Sequence, residues 1–405
     1  MLGQCRFIRT IRLRNFLSYG PDSGEIKLES LNVLVGPNSS GKSNLLEALA
    51  LLQACPKDLT APIRQGGGVG EWLWKGPSDN PVAEIDATVY YPEGWMPLRY
   101  KLSFTMVGQR LELEDEAIEN ERPSAPGEED PYFFYRFQRG RPVLSIRTKA
   151  EDAVDAEPKR DKRTLQREDL DPDQSVLSQR KDPDQYPELT YLGNRFSKIK
   201  LYREWNLGRY TPPRLPQKAD LPEDFLLEDA TNLGLVLNDL QHQSGTKRLL
   251  LDKLSSFYEA IEDITTKIHG GTVQVFLHEK GLGPIAATRL SDGTLRYICM
   301  LAVLCHPKPP PVVCIEEPEL GLHPDVLPIL ADLLIEASDR TQLFVTTHSD
   351  ALVSALSEVP ESVIVCERDS AGSQLRRLNK DQLKDWLDKY TLGDLWRMGE
   401  IGGTL

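Results

Sequence analysis

The eight residues Gly36-Pro37-Asn38-Ser39-Ser40-Gly41-Lys42-Ser43 constrain this chain more than any other stretch. They fill the pattern G-x-x-x-x-G-K-[ST] without a substitution. Before them, Val33, Leu34 and Val35 read as a buried strand, and after them Leu45, Leu46, Leu49 and Leu52 recur at about helical spacing. Strand, glycine loop and helix therefore stand in the order a phosphate-binding loop requires. Gly36 and Gly41 let successive backbone N–H groups curl inward on a polyphosphate, and the helix N-terminus adds partial positive charge. Lys42 is expected at the β- and γ-phosphates and Ser43 on Mg2+, with Asn44 next along the loop among the expected contacts. The competing reading is a Gly-Ser turn that happens to precede a helix; it accounts for neither the lysine nor the flanks.

The chain has 405 residues, enough for a large core and more than one structural unit. No run approaches the ~20 apolar residues that span a bilayer, and the N-terminus, MLGQCRFIRTIRLRNF, lacks a signal-peptide core. It reads as a strand with Phe7, Ile8, Ile11 and Leu13 inward, and the expected location is the cytoplasm. A net charge of -13 gives no global field for nucleic acid. Arg6, Arg9, Arg12 and Arg14 form a local basic patch only if they share one face; a solvated edge strand is the plainer alternative. The six cysteines form no C-x-x-C pair and read as buried free thiols.

Strands are expected up to Val35, with a turn at Tyr19–Asp22, and an antiparallel hairpin at Ala83–Tyr91 and Leu98–Val107. Residues 1–110 are taken as an N-terminal lobe. From 111 to 228 acidic residues, mixed charge and recurrent prolines suggest an inserted, partly disordered arm, with one ordered strand at the aromatic island Tyr132–Phe137. Residues 229–405 form a C-terminal lobe. It opens with helical patterns at Asn232–Gln241 and Lys247–Ile261, then strands at Thr272–His278 and Ile285–Arg289. A helix follows Leu290-Ser291-Asp292-Gly293-Thr294. The apolar strand Val312–Ile315 ends on Glu316-Glu317-Pro318-Glu319, the strand Gln342–Thr346 ends on Thr347-His348-Ser349, and a last strand, Ser362–Glu367, precedes a polar tail. Apolar strands alternating with helices predict a parallel sheet in an α/β fold.

An apolar strand ending in two acids suits a Walker B strand. Glu316 would hold Mg2+ through water, Glu317 would polarise the attacking water, and His348 would hydrogen-bond the γ-phosphate or that water. Singly, each has an ordinary competitor, a solvated loop or a capping histidine.

Taken together, GPNSSGKS, LSDGT, VVCIEEPELGLHP and TTHS resemble the ABC-type ATPase heads of the RecF/SMC/OLD-like group. The resemblance implies an ABC-type head with a mainly parallel sheet, an antiparallel β-subdomain and an inserted arm or lid. LSDGT is similar to the ABC signature, with Ser291 and Gly293 at its matching positions and Asp292 between them. It implies contact with the γ-phosphate held by a second copy, hence a homodimer through the nucleotide face. The loop Glu319–Pro324 corresponds to the D-loop and His348 to the H-loop histidine. Stand-alone bacterial ATPases of this group, some paired with a nuclease-like partner in phage-defence operons, imply Mg2+-ATP hydrolysis that regulates a separate effector encoded nearby.

The sequence departs from that pattern in three ways. Glu316 stands where Walker B usually has Asp. No glutamine has Q-loop spacing, with Gln53 and Gln65 the candidates. Val363–Asp369 is only faintly similar to a Toprim opening, so no nuclease of the chain's own is expected. The alternatives are a RecF-like DNA-binding repair ATPase, a slow-turnover nucleotide-gated scaffold and, because Ser43 and Ser291 lie so far apart, less readily a transporter subunit.

Overall fold

The computed structural model describes residues 6–77, 81–124, 127–138, 141–148, 159–165 and 169–403. The fold is mixed α/β and divides into two compact units. The first comprises Met1–Glu29, Gly36–Ile199 and Ile364–Arg377, and the second Ser30–Val35, Lys200–Val363 and Leu378–Leu405.

The first unit is built on an eight-stranded antiparallel sheet. Its order is Ile26–Lys27, Ile8–Arg14, Ala83–Val89, Leu98–Val107, Arg110–Asn120, Phe133–Gln138, Arg141–Thr148 and Lys159–Thr164. Period-2 alternation makes the face: Leu98, Tyr100, Leu102 and Phe104 are all fully buried. The helix Pro187–Phe196 buries Leu189, Leu192 and Phe196, and the Phe196 ring meets Tyr100 edge-on at 5.4 Å. On the other face Asp86 accepts two hydrogen bonds from Arg99, at 2.6 and 2.8 Å, and one from Arg12 at 2.8 Å.

This ladder answers the question of a basic patch. Arg12 and Arg14 lie near Glu84, and Arg6 pairs with Glu29, so acids on neighbouring segments offset three of the four arginines. The acidic run after Glu112 is likewise a strand, in which Glu119 pairs with Lys101 at 3.2 Å and Arg136 at 3.0 Å. Beyond it lie three further strands where composition suggested one, because the partners of those charges come from other strands. Residues 149–158 and 166–168 of the expected loops, and Cys5, lie outside the described residues.

In the second unit four parallel strands lie in the order Lys200–Tyr202, Val312–Glu316, Gln342–Thr346 and Leu31–Val35. Val312 to Ile315, Leu343 to Val345 and Val33 to Val35 are fully buried, as expected of strands covered on both faces. The helices Asp292–Leu304 and Leu327–Ser338 belong to the same unit. A smaller antiparallel sheet contains Ile261–His269 and Thr272–Glu279. Ile261 thus opens a strand, and the helix expected to reach it stops at Phe257. The strand expected at Ile285–Arg289 closes into a 3-10 turn after Ala286.

Among its described residues the polar tail carries two helices, Lys380–Leu387 and Leu392–Arg397. Thr391 and Asp394 form a capping box that opens the helix Leu392–Arg397, whose Trp396 is fully buried. Five cysteines, Cys55, Cys299, Cys305, Cys314 and Cys366, are buried free thiols. Among the described residues no helix is long and apolar enough to cross a membrane.

Candidate functional site

In the first unit the loop Gly36–Gly41 leads into the helix Lys42–Ala54. Gly36 has φ 147° and Gly41 φ 104°, in the region L side chains avoid. A Cβ on Gly36 would collide with the Cys366 carbonyl oxygen, and one on Gly41 with the Ser373 side chain. No side chain caps the helix, so its first N–H groups receive no capping side chain. Lys42 is buried and curls back over its own loop, with Nζ donating to the carbonyls of Gly36 at 2.7 Å and Pro37 at 2.9 Å. The Ser40 hydroxyl is buried without a hydrogen-bond partner. Asn38, Ser39 and Ser43 are exposed, and Asn44 donates to Ser18 Oγ at 2.7 Å. A loop with two glycines at positive φ, a buried cation, an unpartnered hydroxyl and a helix without a side-chain cap has the donor chemistry that phosphate oxygens satisfy. Of the two Q-loop candidates, Gln53 donates to the Ile199 carbonyl at 2.7 Å and Gln65 ends a short helix.

The second unit brings the other predicted residues together. The Glu317 N–H donates to the Thr346 carbonyl at 3.0 Å, which continues the parallel pairing one residue past the strand. Glu317 itself has φ 44°, a strained value for a non-glycine residue, and it turns the chain at the strand tip. Its Oε1 stands 3.8 Å from His348 Nε2. Glu319 Oε1 accepts from Thr347 Oγ1 at 2.6 Å and from the His348 N–H at 2.9 Å, fixing the histidine's backbone.

The signature segment lies in the same unit. Ser291 is the N-cap of the helix Asp292–Leu304, and its Oγ accepts from the Thr294 N–H at 3.1 Å. Gly293 lies so close to Gly321 that a Cβ would collide with the Gly321 carbonyl, which explains glycine at that position.

Two arginines escaped the sequence reading. Arg214 is 4% exposed and donates to the carbonyls of Leu207 at 2.7 Å and Leu290 at 2.5 Å, and to Asp292. Arg296 donates to the Glu317 carbonyl at 3.4 Å, and burial lowers its proton affinity although Glu317, Glu319 and Asp292 lie near. Arg214 had no signal, since it falls in a proline-rich stretch far from its partners. Arg296 had one: a cation inside an otherwise apolar helix, one turn from the signature.

Among the described residues no group of three or more His, Cys, Asp and Glu is placed to hold a metal ion. Ser43 and Glu316 remain the residues that would hold Mg2+ together with phosphate oxygens.

Comparison with known proteins identifies this architecture. Residues 31–354 match the family described as "AAA domain, putative AbiEii toxin, Type IV TA system". No curated protein matches the chain. Among solved structures, the SmcHead bound to the C-winged helix domain of ScpA has a TM-score of 0.58 at 14% identity, covering 94% of this chain and 99% of its own. The Smc head domain with an extended coiled coil, bound to the C-terminal domain of ScpA derived from Pyrococcus furiosus, has a TM-score of 0.51 at 13% identity, covering 95% and 99%. An Smc head domain derived from Pyrococcus yayanosii has the same score at 11% identity, covering 95% and 99%. At these identities the likeness is one of fold, that of an SMC-like, ABC-type P-loop ATPase head.

Proposed function

The chain belongs to this AAA-domain family of nucleotide-binding ATPases, and we propose that it is an ATP-driven switch for a separate effector protein. Mg2+-ATP binds at Gly36–Asn44, two copies associate through their nucleotide faces, and hydrolysis releases them. Ser43 and Glu316 hold Mg2+, which supplies charge neutralisation at the phosphates. Glu317 takes the proton of the attacking water, and His348 orients that water or the γ-phosphate. Ser291, Asp292 and Gly293 present a hydroxyl and helix N-terminal N–H groups to the γ-phosphate of the second copy. The effector is nuclease-like and encoded by a neighbouring gene, and the setting is antiviral defence or DNA transactions in the cytoplasm. The Smc heads of like fold that are bound to ScpA domains support a protein partner.

One observation carries this reading: Glu317, held at φ 44° on the tip of a buried strand, stands 3.8 Å from the His348 ring. Backbone strain at a strand tip beside a titratable pair is where reacting groups are commonly held. The test is Glu317→Gln, which keeps the shape and removes the base. ATP should still bind, turnover should fall at least a hundredfold, and an ATP-dependent dimer should accumulate in light scattering. Turnover equal to that of the unaltered protein would place the base elsewhere.

A further inference from the structure

The segment between the strands Lys200–Tyr202 and Gln217–Lys218 sends a charged side chain into the interior of the second unit. Arg214 follows Pro212 and Pro213, and its own N–H donates to the Thr211 carbonyl at 3.1 Å. The two proline rings stiffen this turn, since each locks φ at about −65°. Three residues on, Gln217 is buried, pairs with Val273 of the smaller sheet and accepts from the Gly234 N–H at 2.6 Å. The arginine therefore projects from a support that is fixed on both sides.

Its guanidinium ends at the signature segment. Nε donates to the Leu207 carbonyl at 2.7 Å, one terminal nitrogen donates to the carbonyls of Ala287 at 3.3 Å and Leu290 at 2.5 Å, and the other donates to Asp292. The ion pair is lopsided, with the Arg214 side chain 5% exposed and that of Asp292 76%. A carboxylate so open stays charged without help, and the helix N-terminus already suits it. Burying an arginine, by contrast, costs desolvation that a half-exposed ion pair does not recover. Helix stability thus accounts for Asp292 but gives no reason to enclose Arg214 beside it. Function gives one. Asp292 sets a negative charge between Ser291 and Gly293, the two residues read above as meeting a γ-phosphate, and like charges repel. Arg296 also lies near Asp292, but its hydrogen bond goes to the Glu317 carbonyl at 3.4 Å, so Arg214 is the cation in contact.

We propose that Arg214 is a positioning residue of the composite nucleotide site: it offsets the Asp292 charge and holds the Leu290 carbonyl, so that Ser291 and Gly293 can receive the γ-phosphate carried by a second copy. The inference rests on the reading of Ser291–Gly293 given above. It adds the residue that makes an acidic signature compatible with a triphosphate. Arg214 acts through Asp292 and through the backbone before Ser291, not on the phosphate itself.

The test uses full-length protein carrying Glu317→Gln, with Mg2+-ATP, and reads dimer formation by light scattering. Arg214→Met removes the cation and keeps most of the side-chain volume. Dimer affinity should fall at least tenfold, while the ATP affinity of dilute, monomeric protein stays within threefold. Adding Asp292→Asn to Arg214→Met should restore the dimer, because the charge to be offset is gone. A merely structural arginine predicts no such rescue, since the carbonyls it leaves behind are the same with Asp or Asn at 292. Asp292→Asn alone, at an exposed position, leaves the guanidinium uncompensated. It should tighten the dimer at least threefold at about 50 mM salt, and the gain should vanish at about 500 mM. That variant carries the test if Arg214→Met does not fold. A missing rescue, or an Asp292→Asn dimer no tighter than its parent, overturns the role given to Arg214. Ser291→Arg in the same background separates the two readings. A dimer that persists there overturns the composite site and this proposal with it. A dimer lost with Ser291→Arg but untouched by Arg214→Met overturns this proposal alone.

Discussion

Removing Glu319 should unfasten His348 without disturbing the phosphate loop. Glu319→Ala takes away the oxygen that accepts from Thr347 Oγ1 at 2.6 Å and from the His348 N–H at 2.9 Å. Hydrogen bonds to a charged group contribute about 1.5–3 kcal/mol each, so the pair sets an upper figure of about 3–6 kcal/mol. Glu319 is half-buried, and water will replace part of what is lost. Thr347, though, is fully buried and its hydroxyl proton has no ready substitute. The local cost should therefore be about 2–4 kcal/mol.

Native-state hydrogen exchange over residues 342–356 measures that quantity where it arises. Protection there should fall roughly 30- to 1,000-fold, at 1.4 kcal/mol per factor of ten. Glu319→Gln keeps one carbonyl oxygen for both donors and should lose about half as much free energy. ATP turnover should fall at least tenfold in the alanine variant while ATP affinity changes less than threefold. Protection within threefold of the unaltered protein would show that Glu319 does not clamp the strand tip, and the reasoning from these two hydrogen bonds would be wrong.

Lys42→Ala removes the one loop side chain that lies over the Gly36 and Pro37 carbonyls, and calorimetry at saturating Mg2+ should show ATP affinity reduced at least a hundredfold. Ser291→Arg separates a capping role from a composite site. Cap loss alone costs about 1 kcal/mol and leaves assembly intact, whereas the composite site predicts normal ATP binding with no ATP-dependent dimer. Light scattering in a Glu317→Gln background decides, and a persisting dimer excludes the composite site. Glu116, buried beneath Tyr100 and Ser175, is lifted by burial from 4.5 to about 7. The folded state then holds this proton more tightly than the unfolded chain, so the associated stability is complete below pH ~4.5 and is lost as pH rises through about 7. Urea midpoints should fall over that range, and Glu116→Gln should flatten the profile; an unchanged slope would remove Glu116 as its source.

Sequence alone determined the local machinery. The phosphate loop needs a strand, two glycines, a lysine and a helix in direct succession, so its geometry is written in contiguous residues and read directly. The same holds for Glu316-Glu317 and Thr347-His348, each at the end of an apolar run whose burial follows from composition. The likeness of LSDGT to an ABC signature was also visible, and Ser291 as an N-cap is a local requirement, whereas the crowding that demands glycine at 293 comes from Gly321 and needed the fold.

Tertiary structure alone decided what holds those pieces. Arg214 reaches Asp292 and the Leu290 carbonyl across some of the least patterned sequence in the chain, and no periodicity marks a buried cation whose acceptors are mostly backbone. The charged residues past Glu112 looked like solvated arm because charge reads as exposure until its partners are known. Arg99, Lys101 and Arg136 come from neighbouring strands and let Glu119 sit in a sheet. Ser373 meets Ser18 although 355 residues separate them, and only folding brings Arg368 and Asp369 to the wall of a cavity beside Asn44. Local chemistry is carried by neighbours in sequence, whereas burial of charge and the walls of a pocket depend on residues that only the closed chain makes neighbours.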